Sequence, residues 1–191
     1  MKNIFLLLNL FSMASCGIQS IPQAANNVES HWAKVQNQYQ RRMDLIPNLL
    51  NSVKGYMKHE SSTLTAVVEA RAKATSTNVN FNDLNESTLK KFSQAQGSLD
   101  SALSKLMVVV EKYPDLKADG QFQKFMNELE GTENRITVAR KRYIESIENF
   151  NNLITVPPTS FTNSFFYHHT KKPQFEVDNL EEAKKAPKVE F

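Results

Sequence analysis

Between Val28 and Thr75 the apolar residues keep one seven-residue register without a slip. Trp32, Tyr39, Ile46, Val53, Glu60, Val67 and Ala74 fall on one line, and Val28, Val35, Arg42, Leu49, Tyr56, Thr63 and Ala70 on its neighbour. Met43, Leu50, Met57 and Leu64 widen the stripe. A period this regular is that of an amphipathic helix. Because the register carries across Pro47, the pattern predicts a single helix over 28–75, bent rather than ended at the proline. Such a helix would be about 70 Å long. It is not stable alone, so its stripe must be covered by other helices.

The covering elements follow in the chain. A polar loop over 78–82 leads to Asp83 and Glu86, whose spacing reads as a capping box for a second helix. Leu84, Thr88, Phe92, Ala95, Leu99, Ala102, Leu106 and Val109 form its apolar face as far as Tyr113, and Pro114 stops it. The link from Pro114 to Gly120 reverses the chain. A third helix is predicted from Gln121 to Ile154, with Phe122, Leu129, Ile136, Tyr143 and Phe150 in line, and Pro157-Pro158 ends it. The fold class expected is all-α, an up-and-down antiparallel bundle of three long helices, the first the longest and bent near Pro47. A short C-terminal helix over 159–167 is expected to pack across the bundle end through Phe161, Phe165 and Phe166. The bundle is thus assigned to 28–167. The tail, 168–191, is mixed in charge and poorly periodic, and is expected to be poorly ordered, with Phe175 and Phe191 as points of attachment.

The N-terminus is a separate object. Lys2 precedes an apolar run from Ile4 to Met13 broken only by Asn9 and Ser12, too short for an ordinary membrane span of about 20 residues. It ends in Met13-Ala14-Ser15-Cys16. This resembles a bacterial lipoprotein signal, in which cleavage precedes the cysteine and the cysteine carries the acyl groups. The expectation is a signal peptide over 1–15, lipidation at Cys16 and a tether over 16–27, with an ordinary signal peptide and an incidental cysteine as the alternative. The chain would then sit in the cell envelope on the periplasmic or extracellular face, held to the membrane by its lipid anchor.

Other function classes find little support. The chain has 191 residues and a net charge of +3, but its 23 basic side chains are interleaved with 20 acidic ones, so no nucleic-acid partner is expected. The five glycines are far apart, which excludes a phosphate loop. No Glu-x-x-His spacing occurs, His59-Glu60 lacks the second histidine of a zinc-protease helix, and His168-His169 has no ligand partners at metal spacing. No catalytic residue, metal site or cofactor is expected.

The polar residues in or beside the helical seams remain: Arg41, Arg42, Asp44, Glu60, Arg71, Glu130, Glu133, Asn134 and Arg140, with Pro47 and Asn48 among them. Charges are seldom buried unless paired. Interhelical ion pairs that set the register are one use for them, with Arg42 or Arg71 facing Glu130 or Glu133. A groove for a partner or ligand is the other. Gly55, Gly97 and Gly131 each weaken a helix by about 1 kcal/mol, for which close approach of two helix backbones is the simplest compensation.

These residues also carry a resemblance. Trp32-Ala33-x-Val35-x-Asn37-x-Tyr39-Gln40-Arg41-Arg42-x-Asp44-Leu45-Ile46-Pro47-Asn48-Leu49, Val53-Lys54-Gly55-Tyr56, His59-Glu60 and Ala70-Arg71-x-Lys73-Ala74 resemble the LemA family of bacterial envelope proteins. So do Tyr113-Pro114-x-Leu116-Lys117-Ala118, the stretch Glu128 to Ile136 with Ala139-Arg140, and Pro187-Lys188-Val189-x-Phe191. The resemblance implies a membrane-attached antiparallel bundle with a long first helix and no established enzymatic activity or cofactor. The chain departs from it at Cys16, where many members resemble single-span proteins, and at Val156-Pro157-Pro158-Thr159, where a Phe-Pro step is usual. The functional expectation is a non-enzymatic scaffold or interaction module whose partner is another envelope protein. A bundle that binds a small molecule or metal is the alternative, and self-association through the apolar seam stays open.

Overall fold

The computed structural model describes the backbone of residues 2–175 and the side chains of residues 18–175. The side chain of Cys16, the tail beyond Phe175 and the attachment at Phe191 lie outside the described residues. Among the described residues there is no strand, and the all-α bundle read from periodicity is what forms. Helix α1 spans Lys2–Val53 and α2 spans Ser61–Ser76. A 3₁₀ turn, Phe81–Asp83, precedes α3 (Glu86–Val110); α4 (Pro114–Ala118) and α5 (Gly120–Thr155) follow. Helix α6 (Thr159–Thr162) runs into a π turn, Asn163–Tyr167.

The predicted single helix over 28–75 does not exist. The chain reverses after Val53, and α2 returns antiparallel to α1, so that Arg71 meets Met43 and Asn78 meets Gln36. The bundle therefore has four helices, α1, α2, α3 and α5, rather than three. The register concealed this because the link from Lys54 to Glu60 is seven residues, one full heptad. Val67 and Ala74 stay in phase with Trp32 and Tyr39 and are buried, but on a strand of helix running the other way. The reversal falls at Gly55, a poor helix former. The N–H groups of Tyr56 and Met57 both bond the Val53 carbonyl, at 3.1 and 3.0 Å, and the fully buried Met57 side chain plugs the turn.

Three further expectations are corrected. The stretch 16–27 is a continuous part of α1 rather than a tether, and Ile21 and Ala24 are buried in the core. The cap of α3 is Asn85 with Thr88, not Asp83 with Glu86: the Asn85 side chain accepts from the Thr88 N–H at 3.0 Å and the Thr88 hydroxyl accepts from the Asn85 N–H at 2.9 Å. Helix α3 ends at Val110, and Pro114 does not merely stop it but opens α4 from the first helical position, where its missing N–H is not needed. Helix α5 is preceded by Asp119, whose carboxylate accepts from the Gln121 and Phe122 N–H groups at 2.9 Å each. The bond from Phe122 is the main reason its pKa lies below the ordinary carboxylate value, and the Tyr56 hydroxyl adds a bond that ties the α1–α2 turn to this cap.

The glycines do not mark close helix contacts. A Cβ on Gly55 or Gly97 would meet open space, and on Gly131 only the Arg135 guanidinium of the same helix, at 3.6 Å.

The apolar interior is divided in two. One core gathers Ile21, Val28, Trp32, Tyr39, Phe92, Tyr143, Phe150 and Ile154 around the part of α1 from Ile21 to Tyr39. The other gathers Met43, Ile46, Leu49, Val53, Leu99, Leu106 and Phe122 around its C-terminal end from Met43 to Val53. On α1 the border falls between Tyr39 and Met43, on α3 between Phe92 and Leu99, and on α5 between Leu129 and Ile136.

Candidate functional site

That border is filled by Arg42. Its side chain is only 1% exposed, because the helical period turns position 42 inward with Val35 and Leu49. The guanidinium donates to Asp100, to Glu133 Oε1 at 2.9 Å and to Gln96 Oε1 at 2.5 Å, and lies 5.0 Å from the centre of the Tyr39 ring. Gln96 and Asp100 are four residues apart and so share one face of α3, while Glu133 comes from α5. One arginine on α1 thus bonds two other helices at the same level. Its two carboxylates are about half exposed, so the charged centre is dry on the arginine side and wet on the acid side.

A second polar contact explains the proline. Pro47 sits inside α1 without ending it. Having no N–H, it cannot bond the carbonyl four residues earlier, that of Met43. Arg71 of α2 takes that role: its Nε donates to the Met43 oxygen at 2.8 Å. Pro47 and Arg71 are therefore two parts of one device, joined through a backbone atom that neither motif displays in sequence.

The other predicted residues scatter. Glu60 stands at the start of α2 and accepts from the Tyr113 hydroxyl at 3.4 Å; burial first, then the Glu60 charge, raises the Tyr113 pKa. Asp44 accepts from Gln40 on the surface at 2.8 Å, and Asn48 and Glu130 are exposed. Arg140 lies over the ring of Phe175 at 4.4 Å, which with Trp32 and Tyr143 holds this part of the tail to the bundle, as expected of Phe175. The expected pair of Arg42 with Glu133 forms. The expected facing of Arg71 with Glu130 or Glu133 does not, because α2 packs on α3 rather than on α5.

Sequence reasoning missed Gln96 and Asp100. The signal available was Gln96 itself, a polar residue interrupting the apolar face of α3 one turn from Asp100. It also missed a basic groove between α1 and α5. A 380 Å³ cavity is lined by His31, Lys34, Gln38, Asn134, Arg135 and Arg142 among others. A shallower one of 560 Å³, lined by Arg41, Lys124, Glu128 and Arg135, adjoins it through Arg135. In the first cavity His31 Nδ1 and Gln38 Oε1 are buried without a hydrogen-bond partner. Burial, then the charges of Lys34 and Arg142, push the His31 pKa below its ordinary value. Among the described residues no three His, Cys, Asp or Glu side chains are grouped to hold a metal, and no helix is long and apolar enough to cross a membrane.

Residues 31–191 match the LemA family. The chain is also similar to Protein LemA of Metamycoplasma hominis, at 26% identity over 129 residues that cover 68% of this chain and 55% of that relative. It therefore spans little more than half the length of the curated relative it matches. The matched region contains the Arg42 layer, the Pro47–Arg71 device and all of α2 to α6, and on that match the chain belongs to the LemA family.

Proposed function

We propose that this chain is a lipid-anchored protein of the bacterial envelope, a non-enzymatic scaffold that presents the surface of a rigid bundle to another envelope protein. The observation that carries the reading is the inward use of Arg42. The side chain best suited to recognise a ligand is buried and bonded to Asp100, Glu133 and Gln96. With Arg71 likewise bonded to a backbone carbonyl, the seam charges serve the bundle and the outer surface is left for recognition. The anchor rests on Met13-Ala14-Ser15-Cys16, and Cys16→Ser should abolish incorporation of a labelled fatty acid and release the chain from membranes. In-cell crosslinking should capture one specific envelope protein. Capture of lipid and self alone would remove the scaffold reading.

The α1–α5 groove supports a second reading, a small anionic ligand. His31 Nδ1 is unpartnered there, and Lys34, Arg135 and Arg142 surround it. An anion in the groove would offset the two cations that lower the His31 pKa, so binding should raise it. Thermal shift against a panel of phosphate-bearing metabolites, repeated with Arg142→Ala, tests this. A shift lost in the variant favours the ligand, and no shift across the panel removes it.

A further inference from the structure

Phe161, Phe165 and Phe166 were expected to anchor the C-terminal helix, and the structure turns them outward. They are 62%, 77% and 68% exposed, while Thr162 and Asn163 face the bundle instead. Phe161 and Phe165 are one turn apart and share a face, and the wider π turn brings Phe166 to the same side. Val156 and Ile18, each about half exposed, belong to this end of the bundle. Other exposed apolar residues, such as Val68, Val108 and Val138, are scattered singly on the helices. Phenylalanine has no polar tip to favour water, so three together on one face need a cover.

The position of the cluster identifies the cover. The Tyr167 hydroxyl donates to the Ile18 carbonyl at 2.6 Å, which fixes the π turn against α1. Upstream of Ile18, α1 continues unbroken to Lys2. Along that helix Cys16 is about 3 Å from Ile18. An acyl group on Cys16, one turn or less from Ile18, would bring a bilayer to the level of the phenylalanines. Lys171 follows a few residues on and is exposed, which adds a cation of the kind that interfacial segments use against anionic headgroups.

We propose that the bundle end bearing Phe161, Phe165 and Phe166 docks onto the membrane surface, with the three rings entering the boundary between headgroups and acyl chains beside the anchor. This rests on the anchored reading above and extends it. A single anchor leaves a protein free to swing, whereas a second contact fixes its tilt. The α1–α2 turn is then held up to about 50 Å from the surface, the length of α1 from Ile18 to Val53.

The test uses the protein as extracted from membranes of the cells that process it, acylated at Cys16 on the anchored reading, in vesicles of phosphatidylcholine and phosphatidylglycerol containing lipids brominated near the headgroup. Phe165→Trp places an indole in the cluster, Val108→Trp places one on α3 away from it, and the native Trp32 is buried and common to both. Flotation with the vesicles reports attachment, and bromine quenching reports depth. The expected result is flotation of both variants, with quenching several-fold stronger for Phe165→Trp. Flotation with equal quenching overturns the docking while leaving the anchor intact. Failure to float overturns both. A Phe165→Trp chain quenched only when a membrane-protein extract is omitted supports bilayer docking that a protein displaces, and one protected from quenching in every vesicle overturns it.

Discussion

The two cores on either side of Arg42 are built differently. In the half of the bundle built around Ile21 to Tyr39 of α1, rings fill the space: Trp32 lies 5.4 Å from Phe92, 5.2 Å from Tyr143 and 6.1 Å from Phe175, and Tyr39 lies 5.1 Å from Phe92. In the other half Leu49, Leu99, Leu106, Ile46 and Met43 do the same work with aliphatic chains. The difference follows from α2, which ends at Ser76 and lines only the aliphatic half. In the aromatic half the place of a fourth helix is taken by the loop 77–85. A loop cannot present regular apolar rows, so Val79 and Leu84 turn in and the Trp32 indole donates to the Val79 carbonyl at 3.0 Å to hold the loop down. Large rings make up the remaining volume. Where a bundle lacks a helix, aromatic bulk and one indole hydrogen bond can close it.

This contrast can be broken by mutation. Trp32→Ala removes both the volume and the bond that retains the loop, and should cost about 3–5 kcal/mol in denaturant unfolding. Leu106→Ala, equally buried in the aliphatic half, should fall toward the lower part of the roughly 2–5 kcal/mol range, because four helices can relax into the gap. Equal losses would mean that the loop contributes nothing special. Next in size is Arg71→Met, which should cost about 1–2 kcal/mol by leaving the Met43 carbonyl without a donor. Pro47→Ala restores an N–H able to reach that carbonyl, so the loss from Arg71→Met should shrink in that background. A coupling of at least about 0.5 kcal/mol is expected, and additive losses would show that Pro47 and Arg71 act separately. The smallest effect is a gain. Gly97, beside Gln96 at the border of the cores, faces open space, and Gly97→Ala should stabilise by about 0.5–1 kcal/mol in the same assay. A loss there would mean that α3 must bend at the border.

Helix type and the buried faces of α1 from Val28 onward, of α3 and of α5 were legible from the period, with Arg42 at a seam position and Glu133 one of two acids it or Arg71 could meet. The reversal at Lys54 to Glu60 was not, because a seven-residue link leaves a heptad pattern in phase and only Gly55 marked it. The Asn85 cap competed with a better-looking Asp83 and Glu86, and the side-chain geometry of Thr88 decided between them. The partner of Arg71 was out of reach for a different reason. It is a backbone oxygen, and the consequence of Pro47 for Met43 becomes a prediction only when another helix is known to pass nearby. The outward phenylalanines were misread because hydrophobicity indicates a wish for cover without saying whether protein or lipid supplies it.

The most direct test of the account is the stability of Arg42→Met, followed by denaturant through both the fluorescence of Trp32, the one tryptophan, and far-UV circular dichroism. Asp100 and Glu133 are about half exposed and can be solvated once the guanidinium is gone. The loss comes from the buried Gln96 amide and imperfect filling of the border between the cores, about 2–3 kcal/mol. The account predicts that fall in both signals with helical content retained. An unchanged midpoint would contradict it, since Arg42 would then not be holding the bundle together and would be free for recognition.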